Sequence, residues 1–213
     1  MKTLIVSGGN IDILFLEDIL KEKYDYIIAV DKGIEALHEL NIKPNYIVGD
    51  FDSVNKKIID IYRNENIPIQ EHNPEKDYTD TELGIKLAIS QKASKISLVG
   101  GIGTRLDHTL ANIHILKHCL DNNIACEILD TYNKVYLINC NVQIEKSKAF
   151  GKYISLIPLT TEVSGITLRG FKYPLKDYTL TIGRSLGISN EIEDEYADIV
   201  LKEGILIVIE SKD

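Results

Sequence analysis

The sequence predicts an α/β protein: a doubly wound, mainly parallel sheet at the N-terminal end, followed by an antiparallel β-sandwich. Three observations carry this expectation. Short apolar strands alternate with helical stretches as far as about residue 130. From Lys134 onward, short β-rich runs separated by turn residues replace helical periodicity. The turns after the early strands are rich in Gly and Asp, and open parallel sheets keep their ligands at that edge. The division is placed at 125–135, giving domains of residues 1-130 and 131-213.

The elements follow in order. Thr3 to Val6 is a strand entering Ser7-Gly8-Gly9-Asn10, with Asn10 as cap of a helix reaching Lys23. Tyr26 to Val30 is a second strand, ending in Asp31-Lys32-Gly33, and a helix spans Ile34 to Leu40. Tyr46, Ile47 and Val48 lead into Gly49-Asp50-Phe51-Asp52-Ser53, a tight acidic turn with Ser53 placed to cap a helix to Asn66. Ile67 to Gln70 is a fourth strand. Thr79 and Glu82 have the spacing of a capping box, opening a helix to Gln91 with Leu83, Leu87 and Ser90 on one face. Lys95 to Val99 runs into Gly100-Gly101-Ile102-Gly103. Thr104 and Asp107 repeat the capping spacing, and Leu106, Leu110, Ile113 and Leu120 line the next helix. Ala125 to Leu129 is the sixth strand. Beyond it the runs are Val135–Asn139, Tyr153–Ile157, Thr179–Ile182, Ile199–Leu201 and Ile205–Ile209, with Lys202-Glu203-Gly204 as a hairpin turn.

In such a sheet the strand C-termini share one edge, so Asp31, Asp50, Asp52, Asp77, Asp80 and Asp107 are expected on one rim. Two like charges about 4 Å apart repel by about 4 kcal/mol at an effective dielectric of about 20. A hard divalent cation such as Mg²⁺ relieves that repulsion and suits carboxylate oxygens. The same aspartates also serve as turn and helix-start residues. The glycine turns present backbone N–H groups to anions, and Lys76 and Arg105 add positive charge. His114 and His118 stand four apart, but the sequence offers no acidic companion for a metal site.

The formal net charge of −8 argues against non-specific binding to nucleic acid or an anionic membrane. Three cysteines without metal-ligand spacing, and no recognisable signal segment, fit a cytoplasmic protein. No apolar run has the length of a transmembrane helix.

Read together, Gly49-Asp50-Phe51-Asp52-Ser53, Lys76-Asp77-Tyr78-Thr79-Asp80, and Gly100-Gly101 through Arg105-Leu106-Asp107-His108 to Ala111-Asn112-Ile113 resemble the thiamine pyrophosphokinase family in its bacterial form. Leu168-Arg169-Gly170-Phe171-Lys172-Tyr173-Pro174-Leu175 resembles that family's substrate-domain strand pair. Gly187-Ile188-Ser189-Asn190-Glu191 resembles its Ser-Asn element. The resemblance implies an ATP-binding catalytic domain, a thiamine-binding β-sandwich and a homodimer. It implies diphosphate transfer from ATP to the thiamine hydroxyl, with AMP as second product. It assigns Mg²⁺ to Asp50, Asp52 and Asp80, and ATP to Asp31, Lys76, Thr79, Arg105 and His108. Asp77 and Arg105 stand at the phosphates and Asp107 near the reacting hydroxyl. Ser189 and Asn190 hold thiamine across the dimer interface. Three features depart from the family: Lys32 stands where a glycine is common, Ile188 replaces a threonine, and the chain has no tryptophan. The rivals are diphosphate transfer to another small alcohol such as a hydroxymethyl pterin, and a non-catalytic nucleotide or thiamine sensor. A dinucleotide-binding dehydrogenase is weaker, because the glycine fingerprint is incomplete.

Overall fold

Near-continuous Val, Ile and Leu runs mark strands buried on both faces, and the first half of the chain builds its sheet from them. The structure is a computed structural model that describes residues 1–52, 54–71 and 77–213. It divides into two compact units, Met1–Thr131 and Tyr132–Asp213.

In the first unit, β1 (Lys2–Val6), β2 (Tyr26–Val30), β3 (Tyr46–Gly49), β4 (Ile69–Glu71), β5 (Lys95–Val99) and β6 (Ala125–Leu129) pair in parallel, in the order β6-β5-β1-β2-β3-β4. Leu4, Ile5, Ile28, Ile47, Ile96 and Ile128 are wholly buried. The helices are α1 (Ile13–Ile19), α2 (Gly33–Glu39), α3 (Lys56–Asn64), α4 (Asp80–Ser90) and α5 (Leu106–Asp121). The connections through α1, α2 and α3 step one way along the sheet, and those through α4 and α5 step the other way. Right-handed crossovers therefore put α1 to α3 on one face and α4 and α5 on the other. In accord with this, α2 packs on α3, and α4 packs on α5.

Several helix expectations need correction. Asp12, not Asn10, caps α1, its Oδ1 accepting from the Phe15 N–H at 3.0 Å. The helix ends at Ile19 because the Lys21 and Glu22 amides bond three residues back, tightening the last turn. Asn55 caps α3 through Lys57 N–H at 3.1 Å, and Ser53 lies outside the described residues. Thr79 caps α4 as expected, accepting from Glu82 N–H at 3.2 Å. The buried face of α4 is Thr81, Gly84, Ile85 and Ala88, not the leucine stripe. These are mostly small residues, and a Cβ on Gly84 would lie 2.9 Å from Val30 Cγ2, so the helix sits low on the sheet. No side chain caps α5. Its buried face is Asn112, Leu116 and Cys119, while Leu106 and Leu110 are exposed.

The second unit is a sandwich of two antiparallel sheets. One holds β7 (Asn133–Ile138), β9 (Tyr153–Pro158), β12 (Asn190–Glu191) and β14 (Leu206–Ser211) in the order β12-β9-β14-β7. The other holds β8 (Val142–Glu145), β10 (Glu162–Arg169), β11 (Leu175–Thr181) and β13 (Tyr196–Val200) in the order β11-β10-β13-β8. Ile154, Leu156, Val163, Ile166, Leu180, Ile199, Leu206 and Val208 fill the space between them. The expected strand pair is present, with Leu168 opposite Leu175. Lys202-Glu203-Gly204 is not a hairpin turn. It carries the chain from β13 in one sheet to β14 in the other, with Glu203 bridging to Ser164.

Candidate functional site

The strand order fixes where a site can form. β1 and β5 are neighbours whose connections leave in opposite directions, so their C-terminal turns part and leave a crevice. A cleft of about 410 Å³ occupies it. Ser7, Gly8, Gly9 and Asn10 line it from the turn after β1, and Asp31 and Lys32 from the turn after β2. Gly100, Gly101, Gly103, Thr104 and Arg105 line it after β5, with Thr81 from α4 and His108 and Asn112 from α5.

Backbone bonds lace the two glycine turns together. Ser7 N–H donates to Val99 O at 2.8 Å, Gly9 N–H to Gly100 O at 3.0 Å, and Asn10 N–H to Ile102 O at 3.0 Å. The glycines are required by this closeness. A Cβ on Gly9 would collide with Gly100 O, and Gly100 has φ +73° with Ser7 O against it. Buried polar side chains hold each turn from the α4–α5 face. Asn112 Nδ2 donates to Gly101 O at 2.7 Å, and the Ser7 and Thr81 hydroxyls meet at 2.7 Å. The long helix α5 opens at the cleft without a side-chain cap, which leaves first-turn N–H groups for an anion.

Arg105 does not stand alone. Its Nε and Nη2 donate to Asp107 Oδ1 and Oδ2 at 3.2 and 2.6 Å. The guanidinium hydrogen bond pulls the Asp107 carboxyl down to about 2. Both side chains are exposed, so water screens the pair. Asp107 itself does not line the cleft; it reaches the site through Arg105.

The acidic turn lies beside Asp31. Asp31 N–H donates to Val48 O at 3.0 Å, and a Cβ on Gly49 would collide with Asp31 Oδ1. Phe51 has φ 58°, a left-handed conformation that a bulky residue holds only where its surroundings enforce it. Its ring is buried, which anchors the turn. Asp52 N–H donates to Asp50 Oδ1 at 3.1 Å, closing the turn. Asp50, Asp52, Asp77, Thr79 and Asp80 lie outside the lining of the cleft. Among the described residues no three His, Cys, Asp or Glu side chains stand ready to hold a metal ion. The donor chemistry still fits a hard cation. Mg²⁺ commonly takes only one or two protein carboxylates and completes its shell with phosphate and water. Lys76 lies outside the described residues.

Of the residues expected at the site, the cleft gathers Asp31, Arg105 and His108. Sequence reasoning missed Ser7, Thr81 and Asn112 as individual contributors. Lys32, noted as a departure, lines the cleft with an exposed side chain and adds a cation there. His118 does have an acidic companion, since Nε2 lies 3.3 Å from Glu82 Oε1 of α4.

In the second unit, Ser189 has φ 56° and its N–H donates to Ser155 Oγ at 2.9 Å. Asn190 is buried. Its Oδ1 accepts from the N–H groups of Tyr173 and Glu191 at 3.0 and 2.9 Å, and Nδ2 donates to Tyr173 O at 2.8 Å. The amide is thus engaged in fixing the backbone at Tyr173, whose ring is exposed.

Glycine turns and a helix N-terminus converging at the switch point define an α/β domain of the kind that receives anionic ligands at its strand C-termini. The comparisons with known proteins specify which. Residues 18–128 match the thiamin pyrophosphokinase catalytic domain, and residues 139–206 match its vitamin B1 binding domain. A thiamine pyrophosphokinase of Bacillus subtilis is 32% identical over the full length of both chains. Its crystal structure superimposes with a TM-score of 0.89, again covering both chains completely. The structure of the Geobacillus thermodenitrificans thiamin pyrophosphokinase is 31% identical, with a TM-score of 0.87, covering 100% of this chain and 98% of that one. The chain belongs to the thiamin pyrophosphokinase family and is an enzyme of that family.

Proposed function

We propose that the protein transfers the terminal diphosphate of ATP to the hydroxyl of thiamine, giving thiamine diphosphate and AMP. One observation carries this reading: an anion-receptive cleft at the sheet's switch point, in a chain that matches thiamine pyrophosphokinase over its full length. In this reading residues 1-130 bind ATP and residues 131-213 bind thiamine. The protein works in the cytoplasm as a homodimer. Free thiols at Cys119, Cys126 and Cys140 suit a reducing compartment.

The glycine turns and the start of α5 receive the phosphates, with Asp31, Lys76, Thr79, Arg105 and His108 around the nucleotide and Asp77 beside it. Asp50, Asp52 and Asp80 would hold Mg²⁺, which when bound neutralises phosphate charge. The thiamine oxygen attacks the β-phosphorus in line. The new O–P bond forms as the bond from the β-phosphorus to the oxygen bridging it to the α-phosphorus breaks, and AMP leaves with that oxygen. Asp107 orients the hydroxyl; a carboxyl held near 2 is too weak a base to accept its proton early. The proton passes to solvent. Positioning and charge neutralisation supply the acceleration. Ser189 and Asn190 shape the thiamine pocket, Asn190 by setting the backbone at Tyr173.

Incubating the protein with ATP, thiamine and Mg²⁺ and separating the products tests this. Thiamine diphosphate and AMP are expected. ATP bound but unconsumed with thiamine, and consumed with a hydroxymethyl pterin, would replace the acceptor. Asp52→Asn is expected to abolish turnover while leaving the circular dichroism spectrum unchanged. Near-normal activity of that variant at low Mg²⁺ would remove the metal assignment.

A further inference from the structure

The cleft contains a pair of hydroxyls with more hydrogen than it uses. Ser7, at the end of β1, and Thr81, in the first turn of α4, are 74 residues apart in sequence, and their oxygens meet at 2.7 Å. Both side chains are more than nine-tenths buried, at 5% and 8% exposure, and both line the cleft. Two hydroxyls carry two hydrogens. Whichever oxygen donates, their mutual bond takes one, and among the described residues neither hydroxyl has another hydrogen-bond partner. A buried O–H donor without an acceptor is costly, so the second hydrogen calls for one in the cleft.

The surroundings say what kind. The Gly8 amide adjoins Ser7, and Arg105 and Lys32 line the same cleft. These groups favour an anion. A phosphate oxygen accepts hydrogen bonds and carries negative charge, so it satisfies the pair and its neighbours together. A cation or an amide N–H would leave the spare hydrogen unmet.

We propose that Ser7 and Thr81 act as one donor, a hydroxyl pair that gives a single directed hydrogen bond to a phosphate oxygen of the ligand in the cleft. This deepens the reading of the cleft as the ATP site and rests on it for the identity of the phosphate. The pair also ties the turn after β1 to the helix that begins at Asp80. The same contact therefore aligns the phosphate cradle with the acidic side of the site.

The test titrates inorganic tripolyphosphate, and separately adenosine, into wild type, Ser7→Ala/Thr81→Val and Thr81→Ser. Loss of the pair is expected to weaken tripolyphosphate roughly tenfold or more, the scale of one hydrogen bond to a charged group. Adenosine affinity stays unchanged, and Thr81→Ser remains within about twofold of wild type because it restores the hydroxyl. A purely structural contact would lower the melting temperature and move both ligands alike. Equal losses for the two ligands, unchanged tripolyphosphate affinity in the double variant, or no tripolyphosphate binding to wild type would each overturn the proposal. Should the double variant fail to fold, Thr81→Val alone carries the same test, with a smaller loss expected for tripolyphosphate only. A wild type that binds tripolyphosphate through the pair yet does not consume ATP with thiamine would overturn the proposed reaction and leave the donor pair standing.

Discussion

Arg105 and Asp107 show how a single pair sets the chemistry available at the start of α5. The fork of Arg105 spans both oxygens of Asp107 and holds its carboxyl well below the ordinary value of 3.8, at about 2. Because the folded value is depressed, the pair's contribution is complete above about pH 4 and fades as pH falls through about 2. Any loss of activity between pH 5 and 7 therefore does not come from Asp107. Carboxyl titration by NMR is expected to find Asp107 near 2 in wild type and in the ordinary carboxylate range in Arg105→Gln. An ordinary value in wild type at low salt would mean the pair does not form in solution. The pairing was only partly legible. Spacing put both residues at the same turn, but nothing in a string of letters shows that the guanidinium is already engaged. The Ser7–Thr81 contact was invisible for a stronger reason, because it joins two elements that only the sheet order brings together. Asn190 was legible as a motif residue, yet its hydrogen bonds to Tyr173 appear only in three dimensions.

Among the elements, those whose boundaries rest on local chemistry were read best. Thr79 caps α4 through the amide three residues on, a contact written into the spacing itself. The cap of α1 was misread because Asn10 and Asp12 are both good caps, and only the path of the preceding turn selects between them. Buried helix faces were misread in α4 and α5 because the largest apolar side chains were taken to face inward. In α4 the face on the sheet is mostly small, and close approach of backbones outweighs side-chain size. In α5 the buried face is set by Asn112, which bonds Gly101 O, with Leu116 and Cys119 one and two turns on. In the second unit β8 and β12 were missed, and β10 was read only at its Leu168 end, through the strand pair. β10 is interrupted by register shifts and by Gly165 at φ +69°, which break strict alternation. Close packing also makes α2 a stringent position. A Cβ on Gly33 would overlap Val6 O, whereas one on Gly8 would lie in ordinary contact, 3.4 Å from Lys32 N. Gly33→Ala is therefore expected to destabilise the protein by about 1–3 kcal/mol, lowering the melting temperature by about 2–4 °C per kcal/mol. Gly8→Ala is expected to shift it far less. Equal melting temperatures for the two variants would show that α2 can move away from β1 at no cost.

At the scale of the whole molecule, the fold class was legible because it depends on alternation and composition, which tolerate errors at element ends. Strand order was not. The adjacency of β1 and β5 comes from a crossover that returns past three strands, and sequence shows only that strands and helices alternate. That adjacency is what turns two unremarkable glycine turns into one cleft. The acidic residues illustrate the converse. Alternation placed them after strands, but Asp31 alone of the six lines the cleft. The acidic turn meets it through Gly49, whose missing side chain lets the Asp31 carboxylate come close.

ATP radiolabelled at its β-phosphate offers the most direct measurement. Turnover with thiamine is expected to carry the label into thiamine diphosphate and leave AMP unlabelled, since the β- and γ-phosphates move together. Label retained in ADP, with thiamine monophosphate or thiamine diphosphate unlabelled, would mean transfer from the γ-phosphate and would contradict attack at the β-phosphorus.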